Sequence, residues 1–199
     1  MVSPIRVCVF DAYGTLFDVH SAVALHAGTV GPKAEEVSKL WRAKQLEYTW
    51  TRTLMGRHAD FWAVTGEALD VALAAFGIGG GALRGSLLDA YRRLAAYPEV
   101  PDALTRLRAA GMKTAILSNG TPAMLNDAVQ AAGIAALLDA VLSIEEIGIY
   151  KTSTSSTARC TSGSRSERTC ISPSRAASCS SGISRKSSSR PAGWSGSKP

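Results

Sequence analysis

The chain has 199 residues and a formal net charge of +6, long enough for one α/β domain with an inserted helical subdomain. The charge is uneven: residues 1–151 hold 14 Lys/Arg against 15 Asp/Glu, and residues 152–199 hold 8 against Glu167 alone. The first part therefore lacks the basic stripe that nucleic acid demands. No apolar run approaches the roughly 20 residues of a membrane helix, and no cationic start with an apolar core marks export, so cytoplasm is the expectation.

Val7-Cys8-Val9-Phe10 reads as a strand buried on both faces, the parallel-sheet kind, with Cys8 as a small buried hydrophobe. It ends at Asp11, and Gly14 permits a tight turn soon after. Val37, Leu40, Trp41 and Tyr48 follow helical spacing across Ala34–Met55. A second helix is expected over Asp60–Phe76, broken by the run from Gly77 to Gly81, and a third is marked by Leu83, Leu87, Leu88, Tyr91 and Leu94. No strand pattern interrupts residues 18–95, which read as an all-helical insertion. Alternation returns from Pro98. A helix with Pro101 near its first turn ends at Gly111, Lys113–Leu117 is a strand, Pro122–Ala132 is a helix ended by Gly133, and Ala140–Ser143 is a third strand. A strand, a helical cap and then βαβ alternation describe an α/β, doubly wound parallel core under a lid. Residues 1–17 and 96–151 would form the core and 18–95 the cap.

At Lys151 the composition changes. The next 48 residues include 17 Ser and no Leu, Val, Phe, Met, Tyr, Asp or Asn, too little apolar surface to offset chain entropy. Three readings compete: a disordered Ser/Arg tail that seeks nucleic acid, a metal site at Cys160, Cys170 and Cys179, or a reading-frame error. The cysteine spacing fits no zinc pattern. The frame error is favoured, because the break falls inside a domain and linkers lie between complete ones.

Four motifs carry chemistry. Asp11 at a strand's carboxyl end is a candidate nucleophile, against the plainer role of capping the next segment. Ser118-Asn119-Gly120 follows the second strand as Asp11 follows the first, where a hydroxyl and an amide can bind anions; turn chemistry before Pro122 is the alternative. Lys151 follows the third strand within Ile147-Gly148-Ile149-Tyr150-Lys151. Leu40-Trp41-Arg42-Ala43-Lys44-Gln45-Leu46-Glu47-Tyr48 places Arg42 on a cap helix with no acid at 38 or 46 to pair with it.

Together these motifs resemble the haloacid dehalogenase (HAD) superfamily over residues 5–151, and the segment around Arg42 resembles its L-2-haloacid dehalogenases. The superfamily's phosphatases carry a second Asp two residues after the nucleophile, which protonates the leaving alkoxide while its backbone carbonyl helps hold magnesium. Here that position is Tyr13, whose bare phenol has a pKa near 10. Halide leaves unprotonated, so the change argues for carbon–halogen cleavage with no metal or cofactor.

The resemblance implies attack by Asp11, oriented by Thr15 and Lys151, on C2 of an L-2-haloalkanoic acid. Ser118 and the backbone around Ala12 and Tyr13 would hold the substrate carboxylate, while Arg42 and Asn119 would stabilise halide. Leu46, Phe61 and Trp62 would wall the substrate carbon, although their spacing equally suits cap core. A homodimer is compatible with the family. The implied sheet order is 5-4-1-2-3, with the first strand central. The family's fourth motif, which positions the hydrolytic water, has no counterpart in residues 152–199. Without a fourth and fifth strand, Val7–Phe10 would become an unpaired apolar edge, so the chain as written is expected to be insoluble or molten and inactive. A phosphatase of unusual motif, or an inactive fragment with a basic nucleic-acid-binding tail, are the rival readings.

Overall fold

The computed structural model describes residues 6–79, 81–148 and 150–151. Three parallel strands, β1 (Val7–Phe10), β2 (Lys113–Ser118) and β3 (Ala140–Ser143), lie in the order β1-β2-β3. Phe10 stands opposite Ile116, and Ser118 opposite Ser143, so β1 and β2 end side by side. Helices α1 (Ser21–Leu25), α2 (Ala27–Val30), α3 (Ala34–Met55), α4 (Phe61–Ala75) and α5 (Gly81–Arg92) all fall between β1 and β2. Helix α6 (Val100–Ala109) precedes β2, and α7 (Pro122–Ala131) links β2 to β3.

The excursion leaves and re-enters the core at one doorway. Phe17 bridges Ala96 in antiparallel fashion, Asp18 N–H donates to Ala95 O at 2.8 Å, and Tyr97 N–H donates to Leu16 O at 3.0 Å.

Within the cap, α3 buries Val37, Trp41, Gln45 and Thr49, a stripe recurring every four residues. Glu35 and Glu36 sit in its first turn and Arg52 in its last, both favourable to the helix dipole. Left-handed Gly56 (φ 62°) ends the helix. The stripe packs on α4, whose buried face includes Val64, Thr65, Ala68, Leu69 and Ala72.

Beneath the sheet, Asp139 joins three elements, accepting from Thr114 N–H at 2.8 Å and from Arg108 Nη1 at 2.9 Å. The Thr114 amide first, and Arg108 further, hold its carboxyl below the usual carboxylate range.

Two expectations change. Of β1 only Cys8 is buried, and Val7, Val9 and Phe10 are half-buried. Among the described residues β1 pairs with β2 alone, the edge position expected for the chain as written. Ser118 is the last residue of β2 rather than the first after it. Residues 152–199, with the cysteines, the tail's expected disorder and any fourth and fifth strands, lie outside the described residues. No described helix is long and apolar enough to cross a membrane.

Asp60 caps α4, its Oδ1 accepting from Ala63 N–H at 2.7 Å. Asp60→Ala should cost about 1 kcal/mol, whereas Asp60→Ser should cost little. Urea unfolding of the two variants checks this.

Candidate active site

Asp11 lies one residue past β1. Its Oδ1 accepts from Ala12 N–H at 2.8 Å and from Lys151 Nζ at 2.6 Å. The same ammonium donates to Leu117 O at 2.8 Å, so Lys151 spans the ends of the first two strands. Its own N–H donates to Asn119 Oδ1 at 2.8 Å. That bond orients the Asn119 side chain and leaves its NH2 as the end available to an anion. Ser118 is buried, and its Oγ accepts from Gly120 N–H at 3.1 Å while keeping a proton to donate. Among the described residues, Oδ2 of Asp11 takes no hydrogen bond. One carboxylate oxygen is thus held and the other is left open.

The turn after Asp11 is tight. Ala12 O accepts from the N–H groups of Leu16 at 2.9 Å and Phe17 at 3.0 Å, and Gly14 adopts φ 88°, a conformation that favours glycine. The turn presents Tyr13 O outward to Arg42, whose Nη2 donates to it at 2.7 Å, while Nη1 donates to Gln45 Oε1 at 2.7 Å. Arg42 of α3 therefore reaches the loop that follows Asp11.

Tyr13 is buried among aromatic rings: Tyr91 stacks on it at 5.6 Å and 13°, and Phe61 leans on it at 5.7 Å. Burial pushes its phenol far up, and its hydroxyl has no hydrogen-bond partner among the described residues. The ring serves as apolar wall and not as an acid.

A family model for haloacid dehalogenase-like hydrolases matches residues 5–159. The chain belongs to that family. It is 56% identical over 151 residues to (S)-2-haloacid dehalogenase 1 of Pseudomonas sp. (strain CBS-3), covering 75% of this chain and 66% of that protein. It is 50% identical over 152 residues to (S)-2-haloacid dehalogenase 4A of Burkholderia cepacia, covering 76% and 66%. The chain thus spans just under two thirds of these relatives. Among solved structures, a dehalogenase superposes with a TM-score of 0.77 at 47% identity, over 80% of this chain and 71% of that one. The L-2-haloacid dehalogenase of Xanthobacter autotrophicus, with chloropropionic acid covalently bound, does so with a TM-score of 0.72 at 42% identity, over 78% and 63%.

Against the expectations for a HAD site, the fold gathers Asp11, Ala12, Tyr13, Arg42, Phe61, Ser118, Asn119 and Lys151. Leu46 is half-buried on α3, one helical turn beyond Arg42. Trp62 lies instead under the Arg92 guanidinium, 4.4 Å from the ring centroid. Thr15 is exposed, and among the described residues no hydrogen bond joins its hydroxyl to Asp11.

Gln45, Thr65, Tyr91, Glu145 and Tyr150 are not among the site residues expected from the sequence, where Tyr91 counts only as an apolar helix position and Tyr150 only as the neighbour of Lys151. Gln45 had one legible signal, a polar residue in step with the buried stripe of α3. Glu145 and Tyr150 had none. Glu145 accepts from Phe61 N–H at 3.2 Å and meets His58 Nε2 at 3.2 Å, while Tyr150 donates to Ala59 O at 2.5 Å. Burial, then the charge of Glu145, pushes the Tyr150 phenol up to about 12. These bonds pin the start of α4, and so Phe61, to the segment bearing Lys151.

Gly120 passes close under Tyr13: a Cβ there would sit 2.7 Å from Tyr13 Cε2 and 3.3 Å from Leu125 Cδ2. Since Tyr13 is wedged between other rings, Gly120→Ala should cost about 1–3 kcal/mol as an overpacking change. Thermal unfolding checks it, and an unchanged midpoint would mean that the ring moves freely.

Proposed function

We propose that this chain is an (S)-2-haloacid dehalogenase, converting L-2-haloalkanoic acids to D-2-hydroxy acids. The observation that carries the reading is the hydrogen bond from Arg42 Nη2 to Tyr13 O at 2.7 Å. In the phosphatase branch, the equivalent carbonyl helps hold magnesium beside a second carboxylate. Here a guanidinium occupies that carbonyl and a tyrosine replaces the carboxylate.

Oδ2 of Asp11 attacks C2 in line with the carbon–halogen bond. The C–O ester bond forms as halide leaves with the bonding pair, inverting C2. Water then attacks the Asp11 carboxyl carbon, not C2, releasing the hydroxy acid and a proton and restoring the carboxylate. The inversion is therefore kept. Lys151 and the Ala12 amide hold Oδ1 so that Oδ2 is aimed. Ser118 and the backbone of the Ala12–Tyr13 turn, through the Tyr13 amide, receive the substrate carboxylate. Arg42 and the Asn119 amide receive halide. Tyr13, Phe61 and Leu46 line the reacting carbon, and the Thr15 amide donates to Ala12 O at 3.3 Å within the turn behind Asp11.

The same reading divides the chain into a core of residues 1–17 and 96–151 and a cap of residues 18–95. The antiparallel bridge between Phe17 and Ala96 supports that boundary. The partner is a small anionic acid rather than nucleic acid or membrane, and the compartment is the cytoplasm. Homodimerisation belongs to the proposal too, supported by exposed Trp50, Leu54 and Met55 at the end of α3.

With the reading frame restored beyond Lys151, incubation with L-2-chloropropionate should release chloride and, in quenched samples, add one propionate unit to Asp11 in the mass spectrum, equally in excess EDTA. Asp11→Asn should abolish both signals, because an amide is a far poorer nucleophile. Turnover by a verified Asp11→Asn chain removes Asp11 from its role. Activity lost to chelator and regained with magnesium would favour phosphatase-like chemistry.

A further inference from the structure

Arg42 can stabilise a departing anion only if it is aimed at the site and its charge is not already neutralised. Its guanidinium donates to uncharged oxygens, the Gln45 amide and the Tyr13 carbonyl, and among the described residues it forms no ion pair. Gln45 is 1% exposed, and both its polar atoms are hydrogen-bonded. Its Oε1 accepts from Arg42 and, at 3.2 Å, from the Tyr91 hydroxyl; its Nε2 donates to Thr65 Oγ1 at 2.7 Å. Thr65 Oγ1 gives its own proton to Phe61 O at 2.7 Å. That bond settles which way the Gln45 amide points, since Thr65 must accept there and a flipped amide would turn NH2 against the guanidinium. The Trp41 indole clamps the same turn, donating to Thr65 O at 2.9 Å.

We propose that Gln45 is a positioning residue that aims the Arg42 guanidinium while leaving its positive charge uncompensated for the leaving halide. The inference rests on the reading above that Arg42 receives halide. A carboxylate at this position would make an equally short bond but would neutralise the arginine inside a buried site, where unscreened charge is most effective. An apolar residue would spare the charge and lose the aim. The chain from Arg42 through Gln45 and Thr65 to Phe61 also fixes the anion-binding group relative to the apolar wall, so that both present one geometry to the substrate.

The test uses the full chain with Gln45→Glu, Gln45→Met and Arg42→Lys, each verified as folded by circular dichroism. Sodium bromide titrations by calorimetry at constant ionic strength report halide binding without chemistry. Quenched mass spectrometry reports single-turnover ester formation from L-2-chloro- and L-2-bromopropionate. Gln45→Glu should weaken bromide binding and slow ester formation by about ten- to a thousandfold, the range for removing one preorganised donor. The loss should be larger for chloride, the poorer leaving group, so the bromo/chloro rate ratio rises. Gln45→Met and Arg42→Lys should move in the same direction, with Gln45→Met the milder. A purely structural role would lower both substrates' rates together and leave the ratio unchanged. A folded Gln45→Glu chain with wild-type bromide affinity and an unchanged ratio overturns the proposal, as does a wild-type chain that binds no bromide. Should the wild-type chain bind bromide yet form no ester, the Asp11 reading fails while the bromide titrations still decide the role of Gln45.

Discussion

Lys151 Nζ lies 2.6 Å from Asp11 Oδ1 and 2.8 Å from Leu117 O, and the site's geometry depends on those two bonds. They draw the residue after the third strand's loop across the ends of the first and second. The side chains of this pair are 22% and 44% exposed, so its net contribution to stability is small. Its consequence is positional. With Oδ1 held by the ammonium and by the Ala12 amide, only Oδ2 faces the space where a substrate carbon must come. The Lys151 backbone in turn sets Asn119, so one residue fixes the side chains of both Asp11 and Asn119.

The cap contributes through a continuous polar thread. Arg42 reaches Tyr13 O on the core loop, Gln45 and Thr65 carry the thread to Phe61 O, and Glu145 of the core meets Phe61 N–H. Buried hydrogen bonds of this kind carry a heavy penalty when one member is lost, because the partner left behind stays desolvated. The α3–α4 interface is therefore more specific in rotation than its apolar stripe alone would make it. Each polar group admits one arrangement of its neighbours, and that arrangement points Arg42 at the loop.

The helices were legible because their signal is local. The patterns over Ala34–Met55 and Asp60–Phe76 delimit α3 and α4 to within one residue at each end, and Gly111 and Gly133 follow α6 and α7. The short α1 and α2 lack the length for periodicity to register. The motif residues Asp11, Ser118, Asn119 and Lys151 were legible as strand-end positions, and Arg42 through its family-like segment. Leu46, Phe61 and Trp62 could not be separated by spacing: Phe61 meets Tyr13, whereas Trp62 turns to Arg92, a difference of one residue on a helix face.

From the chain itself follow the order of strands and helices, the parallel α/β class, and a carboxylate at a strand end with Tyr13 where a second acid would serve phosphate chemistry. Those features depend on residue type and on spacings of two to four residues. Tertiary structure alone decided that Lys151 meets Asp11 across 140 positions, that Gln45 neighbours Thr65 and Tyr91, and that β1 is only half covered among the described residues. Such meetings depend on strand register and on the rotation of packed helices about their axes. Both are set by the sum of many weak contacts, and no local stretch of sequence encodes them.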